Sequence, residues 1–324
     1  MLTVKDLKKW FQIRSSIKDT ILRKTHYVKA VDGVSFDIRK GETLGLVGES
    51  GSGKTTTARL VLRLVPPSGG EVYFRGRNVL SITDKNELRQ LRRNMQIIFQ
   101  DPYEYLPPRK TVQEILAEPL KLYSIVSEDE LANKVEEALE MVELTPPGTF
   151  LGKYPHELSG GQRQRILVVR PLLLDPEFIV ADEPVSMVDV SIRIGILNLF
   201  LRLREKYNLT CLFITHDLAI ARYVCDQVAV MYMGKIVEKG PTDSVIGDPV
   251  HPYAKALISA VPVPDPRDRN PVVSMEETLA RPTDTFSGCR FHPRCIFAKD
   301  ICSREEPELR EISKEHFVAC YLDA

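Results

Sequence analysis

The residues with the most specific chemistry are Gly48–Thr55, which read GESGSGKT and fit the pattern G-x-x-x-x-G-K-S/T. Glycines in such a run let the backbone curl until its N–H groups point inward at phosphate oxygens. Lys54 adds a point charge for β- and γ-phosphates, and the Thr55 hydroxyl suits Mg2+. Glu49, Ser50, Gly51, Ser52, Gly53 and Thr56 complete the cradle. A helix starting near Gly53 would aim its positive end at the same anion. This loop says only "nucleoside triphosphate", because several classes of enzyme share it. A second constellation narrows it. Phe178–Pro184 reads FIVADEP, in which four apolar residues deliver Asp182 and Glu183 at the end of a buried strand. Ligands of parallel sheets gather at strand carboxyl ends. Asp182 there would hold Mg2+ through water, and Glu183 would polarise an attacking water.

Leu158–Gln162 reads LSGGQ and is followed by Arg163, Gln164 and Arg165. Ser159, the Gly160 and Gly161 amides and Gln162 at a helix start make a second anion site. With LSGGQ placed between the phosphate loop and the strand ending in Asp-Glu, the chain resembles the ATP-binding cassette (ABC) family. The resemblance implies that Ser159 meets the γ-phosphate of an ATP held by a partner cassette, so that two cassettes close head to tail on two ATPs. It also implies a role for Gln100, after MQIIF, beside Mg2+ and the membrane subunit. His216, after TCLFIT, becomes the switch histidine at the γ-phosphate, and Asp189 in SMVD crosses the dimer interface. Phe11 stacks on adenine in this reading, with Tyr27 as its rival. Read alone, Gln100 is equally a turn residue, His216 a helix cap and Phe11 a core aromatic. Two stretches depart from the family pattern. Pro171 stands where alanine is usual, so the helix after LSGGQ either ends near Arg170 or bends there. The loop Tyr103–Arg109, YEYLPPR, also differs.

The tail narrows the resemblance. His251–Pro266 (HPYAKALISAVPVPDP), Gly288–Cys302 and His316–Leu322 resemble the C-terminal extension of oligopeptide/dipeptide importer ATPases, near the F-type subunit that pairs with a related D-type ATPase. Of six cysteines, Cys211 and Cys225 sit among apolar residues and read as core fillers. Cys289, Cys295, Cys302 and Cys320 crowd the tail with the spacing C-x5-C-x6-C-x17-C. In a reducing compartment such a group points to metal more than to disulfides. The spacing is not a zinc-knuckle signature. The resemblance implies a four-cysteine 4Fe–4S cluster. Zinc, or four free thiols in a packed tail, are the other readings.

These residues need elements to position them. Val28–Ile38, Thr43–Val47, Glu71–Phe74, Met95–Phe99, Phe178–Ala181 and Thr210–Thr215 carry strand patterns. Helical patterns follow Gly53, stopped by Pro66 and Pro67, and run over Ile192–Tyr207. Strand, helix, strand implies a parallel sheet. Gln227–Tyr232 and Lys235–Glu238 meet at Met233–Gly234 as a hairpin. Residues 101–154 read as helical, with a capping box from Ser127 to Glu130. Val261–Pro266 (VPVPDP) reads as a stiff linker. The 44 basic and 44 acidic residues cancel, which gives no global pull toward nucleic acid. No run of eighteen apolar residues exists to span a bilayer, and the N-terminus lacks a secretory pattern, so the cytosol is the default compartment.

The expectation is therefore an α/β protein: a P-loop NTPase (RecA-like) core with an antiparallel β subdomain, an inserted helical subdomain and a small Cys-rich extension. The divisions are residues 1–100 and 155–250 for the ATP-binding core, 101–154 for the helical subdomain and 251–324 for the extension. The expected function is an ATP-hydrolysing subunit of an ABC importer, peripheral on the cytoplasmic membrane face, with ATP and Mg2+ as ligands. Its partners would be a second, D-type ATPase, two membrane permeases and an extracytoplasmic binding protein, with no nucleic acid. Peptides are the substrates the resemblance implies. Oligosaccharides or metal complexes are alternatives, and a soluble non-transport ATPase is the reading from another class.

Overall fold

The computed structural model describes residues 1–12, 27–260 and 287–322. The expected stiff linker at Val261–Pro266 lies outside the described residues. The chain forms two compact units: residues 1–38, 42–80 and 213–324, and residues 39–41 and 81–212. The boundary falls inside the strand Thr210–Thr215.

The first unit holds a four-stranded antiparallel sheet in the order Tyr27–Ile38, Leu2–Gln12, Gly69–Phe74, Arg77–Asn78. Leu2, Val4 and Leu7, with Val31, Val34, Phe36 and Ile38, supply its buried face. Beside it in the same unit, Thr43–Val47 is buried at all five positions and pairs in parallel with Gln227–Tyr232. A continuous apolar run is what a parallel strand covered on both faces requires. Gln227–Tyr232 then turns through Met233 and Gly234, both at positive φ, and pairs antiparallel with Lys235–Pro241. That strand runs three residues past the expected end at Glu238, because Lys239, Gly240 and Pro241 all find partners on the hairpin's first strand.

The cysteine-bearing tail is built onto this hairpin. His316–Val318 pairs with Lys235–Pro241, and Arg310–Ser313 pairs with His316–Val318. Glu238, fully buried, sits at the junction. Its carboxylate accepts the Val250 N–H (3.0 Å), the His251 N–H (2.7 Å) and a bond with His316 Nε2 (2.8 Å). Burial pushes the Glu238 carboxyl up, and those donors hold it back only in part. His251 itself is the N-cap of the helix Pro252–Ser259, its Nδ1 accepting the Tyr253 N–H at 3.0 Å.

The second unit carries the helical section. Val112–Tyr123 and Glu128–Met141 pack against each other and against Gly160–Leu172. The Glu130 carboxylate accepts the Ser127 N–H at 3.1 Å, as the capping-box pattern predicts, and also the Ser127 hydroxyl at 2.7 Å. Gly160–Leu172 runs through Pro171 and stops one residue later, so the proline sits in the last turn, where it forgoes the bond to the Leu167 carbonyl and little helix is left for it to disrupt. Met95–Ile98 and Phe178–Asp182 pair in parallel, with Ile98 opposite Ala181. Among the described residues no helix is long and apolar enough to cross a membrane.

Burial pushes the His251 imidazole down to about 3, from 6.5 in an open chain. The folded protein therefore keeps it neutral where the unfolded chain has begun to bind a proton. Stability must fall as the pH drops below about 6.5. From pH 7 to pH 5 the loss from this one group is about 2 kcal/mol. His251→Asn keeps a capping acceptor but removes the titration. Urea midpoints across that range should show the variant losing correspondingly less stability than the parent. Parallel pH profiles would contradict this account of the histidine.

Candidate functional site

In the first unit the strand Thr43–Val47 delivers Gly48, and the helix Lys54–Val61 begins at Lys54, after the turn Glu49–Gly53. Lys54 is buried although charged. Its ammonium donates to the carbonyls of Gly48 (2.7 Å) and Glu49 (2.8 Å) and lies 3.4 Å from Ser52 Oγ. The backbone thus wraps round the one cation that the sequence assigns to phosphate. Gly53 has φ of 108°, and a Cβ there would stand 2.2 Å from the Ala30 carbonyl oxygen. Only glycine fits, which fixes the loop's approach to the strand Tyr27–Ile38. The Gly234 N–H donates to the Ser52 carbonyl at 2.8 Å, so the hairpin turn braces the loop from the other side. Gly51, Thr55 and Thr56 complete the Gly48–Thr56 run in this unit.

Glu49 has two partners that the sequence reading did not connect with it. Its N–H donates to Tyr253 Oη at 2.8 Å. Its carboxylate takes Arg294 through two bonds, 3.0 Å from Nη1 and 3.2 Å from Nη2. Tyr253 lies in HPY, the start of the tail motif, and Arg294 directly precedes Cys295. An arginine beside a cysteine was the only available hint, and it is not a specific one.

In the second unit the parallel pair Met95–Ile98 and Phe178–Asp182 brings Gln100 and the acidic residues to one end of the strands. Gln100 Nε2 donates to Glu183 Oε2 at 3.1 Å. Asp182 is buried, and Glu183 has φ of 46°. A non-glycine residue held in that left-handed region is strained, and such strain gathers at functional positions. The Ser186 N–H (3.2 Å) and hydroxyl (3.0 Å) both donate to the Glu183 carbonyl and hold the turn.

Ser159 is exposed and caps the helix Gly160–Leu172. Its Oγ accepts the Gln162 N–H at 3.3 Å, and Gln162 Oε1 accepts the Ser159 N–H at 3.0 Å. A Cβ on Gly161 would sit 2.9 Å from Ile192 Cγ2, so that glycine is needed for close packing against the helix Val190–Tyr207. Gln164, buried in the same helix, donates to the Pro184 carbonyl at 2.5 Å. The exposed serine tip and the Glu183 turn are thereby linked within one unit. Asp189 is the exposed N-cap of the helix Val190–Tyr207, flanked by exposed Met187, Val190 and Ile194.

His216 is exposed just after Thr210–Thr215 in the first unit. The capping of the next helix falls to Asp217, whose carboxylate accepts the N–H groups of Ala219 (2.9 Å) and Ile220 (3.3 Å). Phe11 and Tyr27 are both about half exposed, on paired strand ends where Phe11 faces Val28 and Gln12 faces Tyr27. Lys9 Nζ lies 5.2 Å from the Phe11 ring centre, and the Trp10 and Tyr27 rings are 6.5 Å apart.

The tail cysteines are all free. Each sulfur accepts a backbone N–H: Cys289 from Phe291, Cys295 from Phe297, Cys302 from Lys299 (3.4 Å) and Cys320 from Leu322 (3.4 Å). Burial pushes the Cys289 thiol up to about 11 and raises Cys295 and Cys320 as well. Neighbouring cysteines add to the rise, so the sulfurs lie within electrostatic reach of one another. Among the described residues no group of three or more His, Cys, Asp or Glu is gathered tightly enough to hold a single metal ion. Arg290 anchors this tail through its guanidinium, which bonds the Asp32 carboxylate and the Met233 carbonyl. Burial works to raise Asp32, but Arg290, Lys235, Trp10 and Lys29 outweigh it and hold the carboxyl below its ordinary value.

Comparison with known proteins fits this arrangement. Residues 31–186 match the ABC transporter family, and residues 237–302 match the oligopeptide/dipeptide transporter C-terminal region. The oligopeptide transport ATP-binding protein AppF of Bacillus subtilis (strain 168) is 46% identical, over 99% of this chain and 97% of its own. The dipeptide transport ATP-binding protein DppF of Haemophilus influenzae is 41% identical, over 99% and 96%. Among solved structures, the dimeric ATP-binding cassette MJ0796 bound to ADP and Pi superposes with a TM-score of 0.64 at 28% identity, over 75% of this chain and 99% of that one. The chain belongs to the ABC transporter family, among the ATP-binding subunits that carry the oligopeptide/dipeptide transporter C-terminal region.

Proposed function

We propose that this chain is the ATP-hydrolysing motor of an importer for oligopeptides or dipeptides, acting through separate membrane permeases. The observation that carries the reading is the Gln100–Glu183 hydrogen bond at the ends of two parallel strands, beside buried Asp182. A carboxylate oriented by an amide next to a metal-binding aspartate can take a proton from an attacking water. The phosphate loop supplies Lys54 and Thr55 for ATP and Mg2+, and His216 acts at the γ-phosphate. Phe11 or Tyr27 stacks on adenine. In this division of labour residues 1–100 and 155–250 bind ATP, 101–154 meet the permeases and 251–324 form the extension.

The second ATP site comes from a partner cassette. Exposed Ser159, with Gly160 behind it, offers a helix tip, and exposed Met187, Val190 and Ile194 around Asp189 give an apolar surface for that partner to cover. The partner is a related D-type ATPase. An external binding protein delivers substrate, and the chain sits peripherally on the cytoplasmic membrane face.

The tail cysteines fit a 4Fe–4S cluster in their chemistry. Four free sulfurs, each receiving a backbone N–H, match the hydrogen bonding that stabilises cluster thiolates. Zinc held by the same four thiolates is the other reading. A bound cluster would cross-link a tail too small to bury a core of its own. Displacing protons from thiols raised by burial makes binding stronger as pH rises.

Two measurements check these assignments. Glu183→Gln should lower steady-state ATP turnover of the assembled transporter by about a hundredfold or more, while leaving it able to trap ATP in a closed dimer. Turnover equal to the parent's would remove Glu183 as the base. Protein purified without oxygen should be brown and carry about four iron and four acid-labile sulfide per chain. Colourless protein with stoichiometric zinc would refute the iron assignment.

A further inference from the structure

Glu49 presents an electrostatic problem. It is the second residue of a loop built to attract a polyphosphate, and its own carbonyl lies 2.8 Å from the Lys54 ammonium. A free carboxylate at that position would repel the ligand and compete for Lys54. The tail meets this carboxylate with a two-pronged guanidinium. Arg294 reaches it through both terminal nitrogens, at 3.0 and 3.2 Å, and the arginine side chain is only 17% exposed. A planar fork against a carboxylate fixes direction as well as charge. Arg294 is held in turn, with its guanidinium 3.4 Å from Tyr232 Oη and close to the Tyr232 and Phe291 rings. Phe291 is itself buried against Tyr232, Tyr253 and His251.

The backbone of the same residue is also occupied. Tyr253 Oη takes the Glu49 N–H, and Tyr253 is fully buried. That amide is committed to the tail, so the amides that meet phosphate must come from further along the loop. The tail therefore fixes the first turn of the phosphate loop at two points, one on the main chain and one on the side chain. All these contacts lie within one compact unit.

We propose that Arg294 is a positioning residue for nucleotide binding: by pairing with Glu49 it neutralises and immobilises the one acidic side chain of the phosphate loop, so that the loop presents a net attraction to Mg-ATP. The proposal rests on Gly48–Thr56 being the ATP phosphate loop. It assigns to a residue of the cysteine-bearing tail a direct effect on ATP affinity, apart from whatever the cysteines bind.

A double-mutant cycle on the full-length chain tests it, read as the equilibrium affinity for Mg-ATP. Arg294→Ala should weaken binding about tenfold. Arg294→Lys keeps the charge without the fork and should weaken it less. In a Glu49→Gln background, where no carboxylate needs neutralising, Arg294→Ala should change affinity by less than about twofold. An unchanged affinity for Arg294→Ala, or the same loss with and without the Glu49 carboxylate, overturns the proposal, the second outcome marking a purely structural role. If Arg294→Ala fails to fold, Arg294→Lys and Glu49→Gln close the cycle in its place. Failure of the underlying reading looks different: Lys54→Ala would then bind Mg-ATP as well as the parent does, and the proposal would fall with it.

Discussion

A buried ammonium surrounded by backbone carbonyls fixes the shape of the loop Gly48–Thr55. Lys54 is out of water, and a charge so placed is tolerated only when oxygen atoms surround it. Gly48 and Glu49 provide those atoms, and Gly53 provides the turn that lets them converge. The loop is narrow for this reason. Its geometry cannot be relaxed by side-chain substitution, because a Cβ at Gly53 would collide with main chain rather than with a movable group. The strand before it, the hairpin turn beside it and the tail behind it all converge on holding that shape.

A similar economy governs the turn at Glu183. Glu183 sits at positive φ, held by Ser186, with its carboxylate taken by Gln100. The strain is local, but the scaffold that over-determines it is the pairing of two buried strands. Gln164 extends the same constraint to the helix that Ser159 caps. One hydrogen bond, from Gln164 to the Pro184 carbonyl, joins that helix to the Glu183 turn. The helix tip at Ser159 and the turn at Glu183 are thus joined within one unit.

The parts legible in the sequence are those whose function is local. The loop GESGSGKT, the LSGGQ cap and the Asp-Glu strand end each need particular residue types at neighbouring positions, because backbone geometry over a few residues makes the site. The strands Thr43–Val47 and Thr210–Thr215 were legible for the same reason, being short continuous apolar runs. Boundaries set by distant partners were not. The helix Lys54–Val61 ends well before Pro66, because Arg63 turns the chain at φ of 54° and the Leu64 N–H closes back on Arg59. The reach of Lys235–Pro241 depends on its partner strand. The contacts Arg294–Glu49, Arg290–Asp32 and His316–Glu238 join residues far apart in the chain, and nothing near either partner marks them.

Those long-range contacts change what the tail is. A segment stapled by cysteines alone could be a passive cap on the end of the chain. Here the stretch from Cys289 to Cys295 carries two arginines, one bonded to Asp32 at the edge of the antiparallel sheet and one to Glu49 in the phosphate loop. Both arginines are placed by a backbone whose turns run through the cysteines themselves, with the Cys289 N–H on the Cys302 carbonyl and the Cys295 N–H on the His292 carbonyl. Arg290 and Arg294 thus lie on the same short backbone segment as Cys289 and Cys295. One short stretch of backbone therefore both carries two of the tail cysteines and reaches the Glu49 carboxylate, which makes it a structural brace of the loop Gly48–Thr55 and more than a cap on the chain.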